Sequence, residues 1–237
     1  MNLSKIIILF FTKFLKIVPK SKRIFLWSLI YKLERESEPE LFNLELFIQK
    51  KGVAIDVGSN QGIYSYKLSK NKNIKKIFSF EPNKSLTDYY YYNMNKVKLY
   101  NYALSNRNEK RILITPKKND FEYHGLSRIK DKNNFINTKN YVKRNIICKR
   151  LDNFKFKNVV FIKIDVEGHE LDMLEGSRKF FIQNKPNCLI EIEKKNVLKV
   201  KNFFQSLRCG YRVNSISYLG IKLTKNNFFF KVKKIRI

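Results

Sequence analysis

Residue types and spacing first imply chemistry at Asp56-x-Gly58-x-x-x-Gly62. The motif follows the β-rich apolar run Val53-Ala54-Ile55-Asp56-Val57 and leads into a helical stretch from Ile63 to Lys70, so it sits where a strand turns into a helix. The spacing departs from the Gly-x-Gly-x-x-Gly that admits a pyrophosphate. A turn of small residues there lets the backbone approach a methionyl tail, and Asp56 is placed to meet an ammonium directly or through water. About twenty residues on, Glu81 ends a second strand, Ile77-Phe78-Ser79-Phe80, where an acidic side chain can accept both hydroxyls of a ribose. The competing reading of the glycine turn, taken alone, is a turn needed only for tight packing. Glu81 in the same βαβ unit turns the reading toward a nucleoside-bearing ligand.

A second group of polar residues follows the apolar run Val159 to Ile164: Asp165, Glu167 and His169, at the junction with a helix beginning at Glu170. Alternate residues at such a carboxyl edge project toward a cleft, where Asp165, Glu167 or His169 can take a proton from an acceptor and hold its hydroxyls. Glu191, at the end of the next strand, adds a carboxylate, and His124, in an inserted loop, is a further acceptor contact. The competing reading is that the carboxylates cap backbone amides at a helix start and that His169 is an ordinary first-turn side chain.

These positions require an α/β scaffold. Strands at Val53–Val57, Ile77–Phe80, Val97–Leu104, Val159–Ile164 and Cys188–Ile192 alternate with helices at Ile63–Lys70, around Leu86 with the tyrosine run Tyr89–Tyr92, at Glu170 to about Phe181 and at Val197–Leu207. The near-continuous apolar strands suit a parallel sheet covered on both faces. Tyr211–Ile216 and Phe228–Val232 are expected to close it as an antiparallel pair. Residues 105–158, with strand-like Arg111–Thr115 and Asn145–Lys149, read as an inserted hairpin and loop beside the site. Residues 1–50 read as a helical extension, with a first helix over Leu3–Val18 and a last one over Glu40–Gln49, and 51–237 as the single catalytic domain.

The net charge of +29 invites nucleic acid or anionic lipid as partner. Lysine is nevertheless spread along the chain, and its abundance alongside Asn, Ile, Phe and Tyr follows A/T-rich codons, so nucleic acid is not the expected partner. Cys148, Cys188 and Cys209 lack paired spacing, which implies a reducing, cytoplasmic setting without a disulfide framework or metal site. The apolar stretch Ile6–Phe11 is too short to span a bilayer. As a helix, the first residues place Lys5, Lys13, Lys16 and Lys20 opposite Leu3, Ile6, Ile7, Phe10, Phe14, Ile17 and Val18. Such a helix either lies on an anionic membrane surface or packs on the domain. Oligomeric state is not read from the sequence.

The segments Ile55-Asp56-Val57-Gly58-Ser59-Asn60-Gln61-Gly62-Ile63-Tyr64-Ser65, Phe80-Glu81-Pro82-Asn83, Ala103-Leu104-Ser105 and Ile162-Lys163-Ile164-Asp165-Val166-Glu167-Gly168-His169-Glu170 resemble the FkbM-type methyltransferase family. The resemblance continues through Leu174-Glu175-Gly176, Pro186 and Leu189–Ile192. It implies a class I Rossmann-like methyltransferase fold, a mostly parallel seven-stranded sheet with helices on both faces, and S-adenosyl-L-methionine as cofactor. The expected reaction is O-methylation, often of sugar hydroxyls in glycans or natural products. It further implies that Asp56, Gly58, Ser59, Asn60, Gly62, Tyr64, Ser65, Glu81, Pro82, Asn83, Ala103, Leu104 and Asp165 line the cofactor site. Methyl transfer to an alcohol is an in-line displacement that needs an aligned, deprotonated oxygen, the part assigned to Asp165, Glu167 or His169. Ser59 stands where the family usually resembles Ala, and Tyr123–Arg128 matches the family's Gly-Ser-Ser-Leu loop only loosely, which leaves the acceptor open. An RNA or other N-acceptor enzyme is the alternative, although the five isolated prolines exclude an Asp/Asn-Pro-Pro-aromatic motif. A non-catalytic binding protein is the other, and the cleft carboxylates argue against it.

Overall fold

The computed structural model describes residues 17–33, 38–90, 94–119, 121–130, 140–214, 217–219, 221–224 and 226–232. Helices α1 (Lys20–Leu33), α2 (Pro39–Phe42) and α3 (Leu44–Phe47) precede β1 (Gly52–Val57), α4 (Ile63–Lys70), β2 (Ile74–Phe80), α5 (Lys84–Tyr90) and β3 (Val97–Tyr100). An insert carries β4 (Ala103–Leu104), β5 (Glu109–Lys118), β6 (Phe121–Glu122), β7 (Arg128–Ile129) and β8 (Tyr141–Lys149). The chain then returns through β9 (Val159–Ile164), α6 (Glu170–Glu175), α7 (Arg178–Asn184), β10 (Asn187–Glu191), α8 (Val197–Ser206), β11 (Tyr211–Asn214), β12 (Ser217–Tyr218), β13 (Ile221–Lys222) and β14 (Asn227–Val232).

The main sheet has seven strands in the order β11-β14-β10-β9-β1-β2-β3. The five from β10 to β3 run parallel, and β14 is antiparallel to both of its neighbours. Chain order reverses between β1 and β9, so the crevice of a doubly wound sheet opens at their carboxyl ends, where Asp56 pairs with Lys163 and Val57 with Ile164.

Alternation along the strands feeds two cores. Ile55, Val57, Ile162, Ile164 and Ile190 meet Met173, Phe181, Val200 and Phe204 from α6, α7 and α8 on one face. Ala54, Ile77, Phe161, Leu189 and Phe229 meet Leu41, Phe47 and Ile48 of the extension and Leu68 of α4 on the other. Phe47 is fully buried, stands edge-on to Phe229 at 4.9 Å, and has its carbonyl held by the Asn187 amide at 2.8 Å. Each buried aromatic of this kind contributes about 1.5–3 kcal/mol. The described part of the extension is therefore one wall of the main core.

Several sequence expectations shift. The single strand expected over Val97–Leu104 divides, because the Asn101 side chain turns back to Thr87 Oγ1 (2.9 Å) and the Glu81 carbonyl (3.3 Å), and Ala103–Leu104 pairs with β8 in a second sheet. The helix expected from Glu170 to Phe181 breaks at Gly176-Ser177: a Cβ on Gly176 would lie 2.0 Å from the Ser105 carbonyl oxygen, and the Ser177 hydroxyl donates back to Met173 and Leu174. The expected hairpin is the antiparallel pair β5–β8, and β4, β6 and β7 enlarge it into a small second sheet, β4-β8-β5-β6 with β7 on β5. Among the described residues no helix is long and apolar enough to cross a membrane. The helix expected from Leu3 lies, up to residue 16, outside the described residues, as do Tyr91 and Tyr92.

Candidate active site

The turn after β1 is built by its own backbone. Gly58 and Ser59 both donate N–H to the Phe80 carbonyl, at 3.0 and 3.1 Å, which pins the turn to the end of β2. Gly58 (φ +74°), Asn60 (+47°) and Gly62 (+83°) take left-handed conformations, and Gly62 starts α4. Asp56 is not at the surface of this turn. Its Oδ2 accepts from the Ser65 hydroxyl at 2.6 Å, and Ser65, its proton committed there, accepts from Ser79 at 2.6 Å. Burial pushes the Asp56 carboxyl up to about 6, against the pull of Ser65 and Lys163. Asp56 thus ties β1 to α4 and β2 from beneath the turn.

Glu81, at the end of β2, is 6% exposed. Its Oε2 accepts the Asn60 amide and its Oε1 the Asn83 amide, each at 2.8 Å, so the carboxylate is aimed by two backbone donors. Each oxygen keeps a second lone pair, the requirement for receiving a vicinal diol. Burial raises its pKa to about 7 despite those donors. Asn83 accepts the Ser85 N–H and hydroxyl at 3.2 and 2.7 Å, which starts α5. The insert reaches the same place: His124 Nδ1 lies 3.4 Å from the Asn83 amide nitrogen, and the next residue, Gly125, lies beside the Asn60 side chain. Burial holds the His124 imidazole below its ordinary pKa, so it is neutral at neutral pH.

At the end of β9 the Asp165 N–H donates to the Val57 carbonyl at 3.0 Å, and its Oδ2 is 3.8 Å from Lys163 Nζ. Glu167 (φ +47°) and Gly168 (φ +93°) follow in consecutive left-handed conformations, a strained turn for a glutamate. The turn is fixed by Glu170, whose Oε1 accepts the Gly168 N–H at 2.6 Å and whose Oε2 accepts Asn196 at 2.9 Å. Glu167 is raised to about 7 by burial and then by Asp165 and Glu191, against Arg128, and Glu191 is raised to about 7 by burial and then by Asp165, Glu38 and Glu40, against Lys163.

The structure brings Asp165, Glu167 and Glu191 into one electrostatic group and gathers Gly58, Ser59, Asn60, Glu81, Asn83 and His124 around the β1 and β2 ends. Pro82 lies between Glu81 and Asn83, half-buried. His169 faces elsewhere: its Nε2 is 2.9 Å from the buried Ser105 hydroxyl and its Nδ1 3.4 Å from Asp172, whose other oxygen takes the Asn106 amide. Ala103 and Leu104 are buried in the second sheet beside that contact, and the Tyr64 ring lies under Lys163 Nζ at 5.0 Å. Motif spacing missed Ser79, Asn101, Glu38, Glu40 and Asn227, and assigned no part to Lys163. A lysine inside the apolar run Val159–Ile164 was the available signal, because charge inside a buried strand demands partners.

The raised carboxylates set a pH dependence. Each binds protons more tightly in the native chain than at its ordinary value near 4, so stability is fully present below that value and is lost as pH rises through about 6–7. Glu81 alone, moved from 4.5 to about 7, accounts for about 3 kcal/mol. The urea midpoint is expected to fall between about pH 5.5 and about pH 8, and to fall less in Glu81→Gln. An equal fall in that variant would remove Glu81 from the account.

The sequence profile of the methyltransferase FkbM domain family matches residues 56–213. No curated protein matches the chain. Among solved structures, the methyltransferase FkbM from Methylobacillus flagellatus KT superposes with a TM-score of 0.50 at 16% identity, over 76% of this chain and 43% of its own. This chain thus spans less than half the length of that protein. The precorrin-6y C5,15-methyltransferase from Geobacter metallireducens GS-15 gives a TM-score of 0.44 at 10% identity, over 78% of this chain and 81% of its own. A SAM-dependent methyltransferase from Aquifex aeolicus gives 0.42 at 15%, over 83% and 89%. The architecture is the class I methyltransferase fold.

Proposed function

The chain belongs to the FkbM methyltransferase family, and we propose that it transfers the methyl group of S-adenosylmethionine to a hydroxyl of a sugar or similarly polar acceptor. The observation that carries this reading is the pairing of two sites along one sheet edge: a glycine turn beside the doubly anchored Glu81, and the Asp165, Glu167 and Glu191 carboxylates a strand or two away. Bound S-adenosylmethionine supplies an electrophilic methyl group. Glu81 offers an oxygen to each ribose hydroxyl, and the Gly58–Gly62 turn, which lacks side chains at its tightest points, admits the amino-acid tail. Asp165 or Glu167 takes the acceptor proton, and the Glu167 carboxyl, raised to about 7, is matched to that task at neutral pH. Glu191 and His124 hold neighbouring polar groups of the acceptor. His169, with both ring nitrogens turned toward Ser105 and Asp172, braces the α6 end of the site and leaves base duty to the carboxylates.

Calorimetry with S-adenosylhomocysteine tests the cofactor half. Binding is expected in the unaltered protein and should weaken by about 1–3 kcal/mol in Glu81→Ala, the worth of hydrogen bonds to an ionised acceptor; unchanged affinity would remove the ribose assignment. Label transfer from S-adenosylmethionine to a sugar panel, with none to RNA, tests the acceptor half, and the reverse pattern overturns it.

A further inference from the structure

Lys163 is 1% exposed, on a central strand between β1 and β10, yet it is a cation. Its Nζ donates to Asn227 Oδ1 at 3.2 Å and stands 3.8 Å from Asp165 Oδ2. Asn227, itself 2% exposed on β14, is opposite Glu191 in register and donates its amide to Glu40 Oε1. Glu40 has no exposed surface, and its other oxygen accepts the Thr224 N–H at 3.3 Å. A continuous buried path therefore runs from α2 of the extension, through Asn227 and Lys163, to the carboxylates at the sheet edge.

We propose that Glu40, Asn227 and Lys163 are positioning residues for Asp165 and Glu191, and that through them the N-terminal extension sets the charge of the acceptor side of the cleft. A scaffold that needed only packing here has apolar residues available, and a buried ion pair is generally no more stabilising than they are. The arrangement is instead unbalanced. Among the described residues one cation, Lys163, faces Asp165, Glu191, Glu38 and Glu40, and burial works against its charge while those carboxylates outweigh burial and hold the ammonium above the ordinary lysine value. Excess negative charge around one lysine leaves protons shared among the carboxyls: Glu191 sits at about 7, and burial with the neighbouring Asp165 and Glu40 raises Glu38 as well. Asp56 from β1 and Tyr64 from α4 close the group from the remaining sides. The number of protons held at the acceptor side thus depends on residues that lie before the first strand.

The use of this path in methyl transfer rests on the function proposed above, but its electrostatic action does not. The test is a carbon-13 titration of glutamate carboxyls in the cofactor-free protein, with the Glu191 signal identified by its loss in Glu191→Gln. The midpoint, about 7 in the parent, should rise by roughly one unit in Lys163→Met and fall by roughly half a unit or more in Glu40→Gln, since removing a cation and removing an anion act with opposite sign. A packing role predicts no such opposition. If Lys163→Met does not fold, Glu40→Gln and Glu38→Gln still decide the matter, because both must shift the midpoint downward. Midpoints that stay fixed, or that move in the same direction for Lys163→Met and Glu40→Gln, overturn the proposal. S-adenosylhomocysteine binding is measured on the same samples: its absence would defeat the proposed function while the titration still judges the relay.

Discussion

Gly58→Ala is expected to cost about 3 kcal/mol or more and to abolish binding of S-adenosylhomocysteine. A Cβ at this position would stand 1.7 Å from the Asp165 carbonyl oxygen and 2.8 Å from its carbon. Those obstacles are backbone, held by the Asp165 amide on Val57, so relief requires parting the ends of β1 and β9. The left-handed φ of +74° adds its own penalty of about 1–2 kcal/mol for an L side chain. Gly210 separates the two contributions, because it has nearly the same φ, +71°, and nothing within 4 Å of the added carbon. Urea unfolding of both alanine variants should show Gly210→Ala losing only the conformational part. If the two lose the same stability and Gly58→Ala binds ligand like the parent, the close approach of the turns is not what glycine is for.

Asp165→Asn combined with Glu167→Gln is expected to lower methyl transfer by about 10²–10⁴-fold while S-adenosylhomocysteine affinity falls far less. Both changes preserve shape and remove a proton acceptor. Glu167 is held in a strained conformation by neighbours other than its own carboxyl group, since Glu170 and Asn196 fix the turn, so the amide variant keeps the loop. Single-turnover rates beside calorimetry make the comparison. Transfer at the parental rate would move the base elsewhere, and equal loss of rate and affinity would place these carboxylates on the cofactor.

Local signals carried the scaffold. β9 spans Val159–Ile164 and α4 spans Ile63–Lys70, as their apolar patterning and the flanking glycines imply, because strands covered on both faces and a glycine-led helix leave strong periodic marks. The helix break at Gly176-Ser177 was not legible in the same way, because its cause, contact with Ser105, is a tertiary event across the insert. His169 illustrates the same limit: its place at a helix start offers a base, while its partner Ser105 is 64 residues away. Glu40 and Asn227 belong to no motif and meet across 187 residues, so only the anomalous Lys163 hinted that such partners existed. Charge inside a buried strand is legible as a demand, and its answer is written in the fold.

The insert has a consequence for how the chain assembles. β1 must pair with β9 across a long stretch of sequence, and the entropy of closing such a loop is a barrier to nucleating the sheet. The antiparallel ladder of β5 and β8 forms from nearer neighbours and brings Glu109 face to face with Cys148, so the path from β3 to β9 is shortened before the central strands meet. The insert that brings His124 to Asn83 thus also shortens the loop that the sheet beneath it has to close.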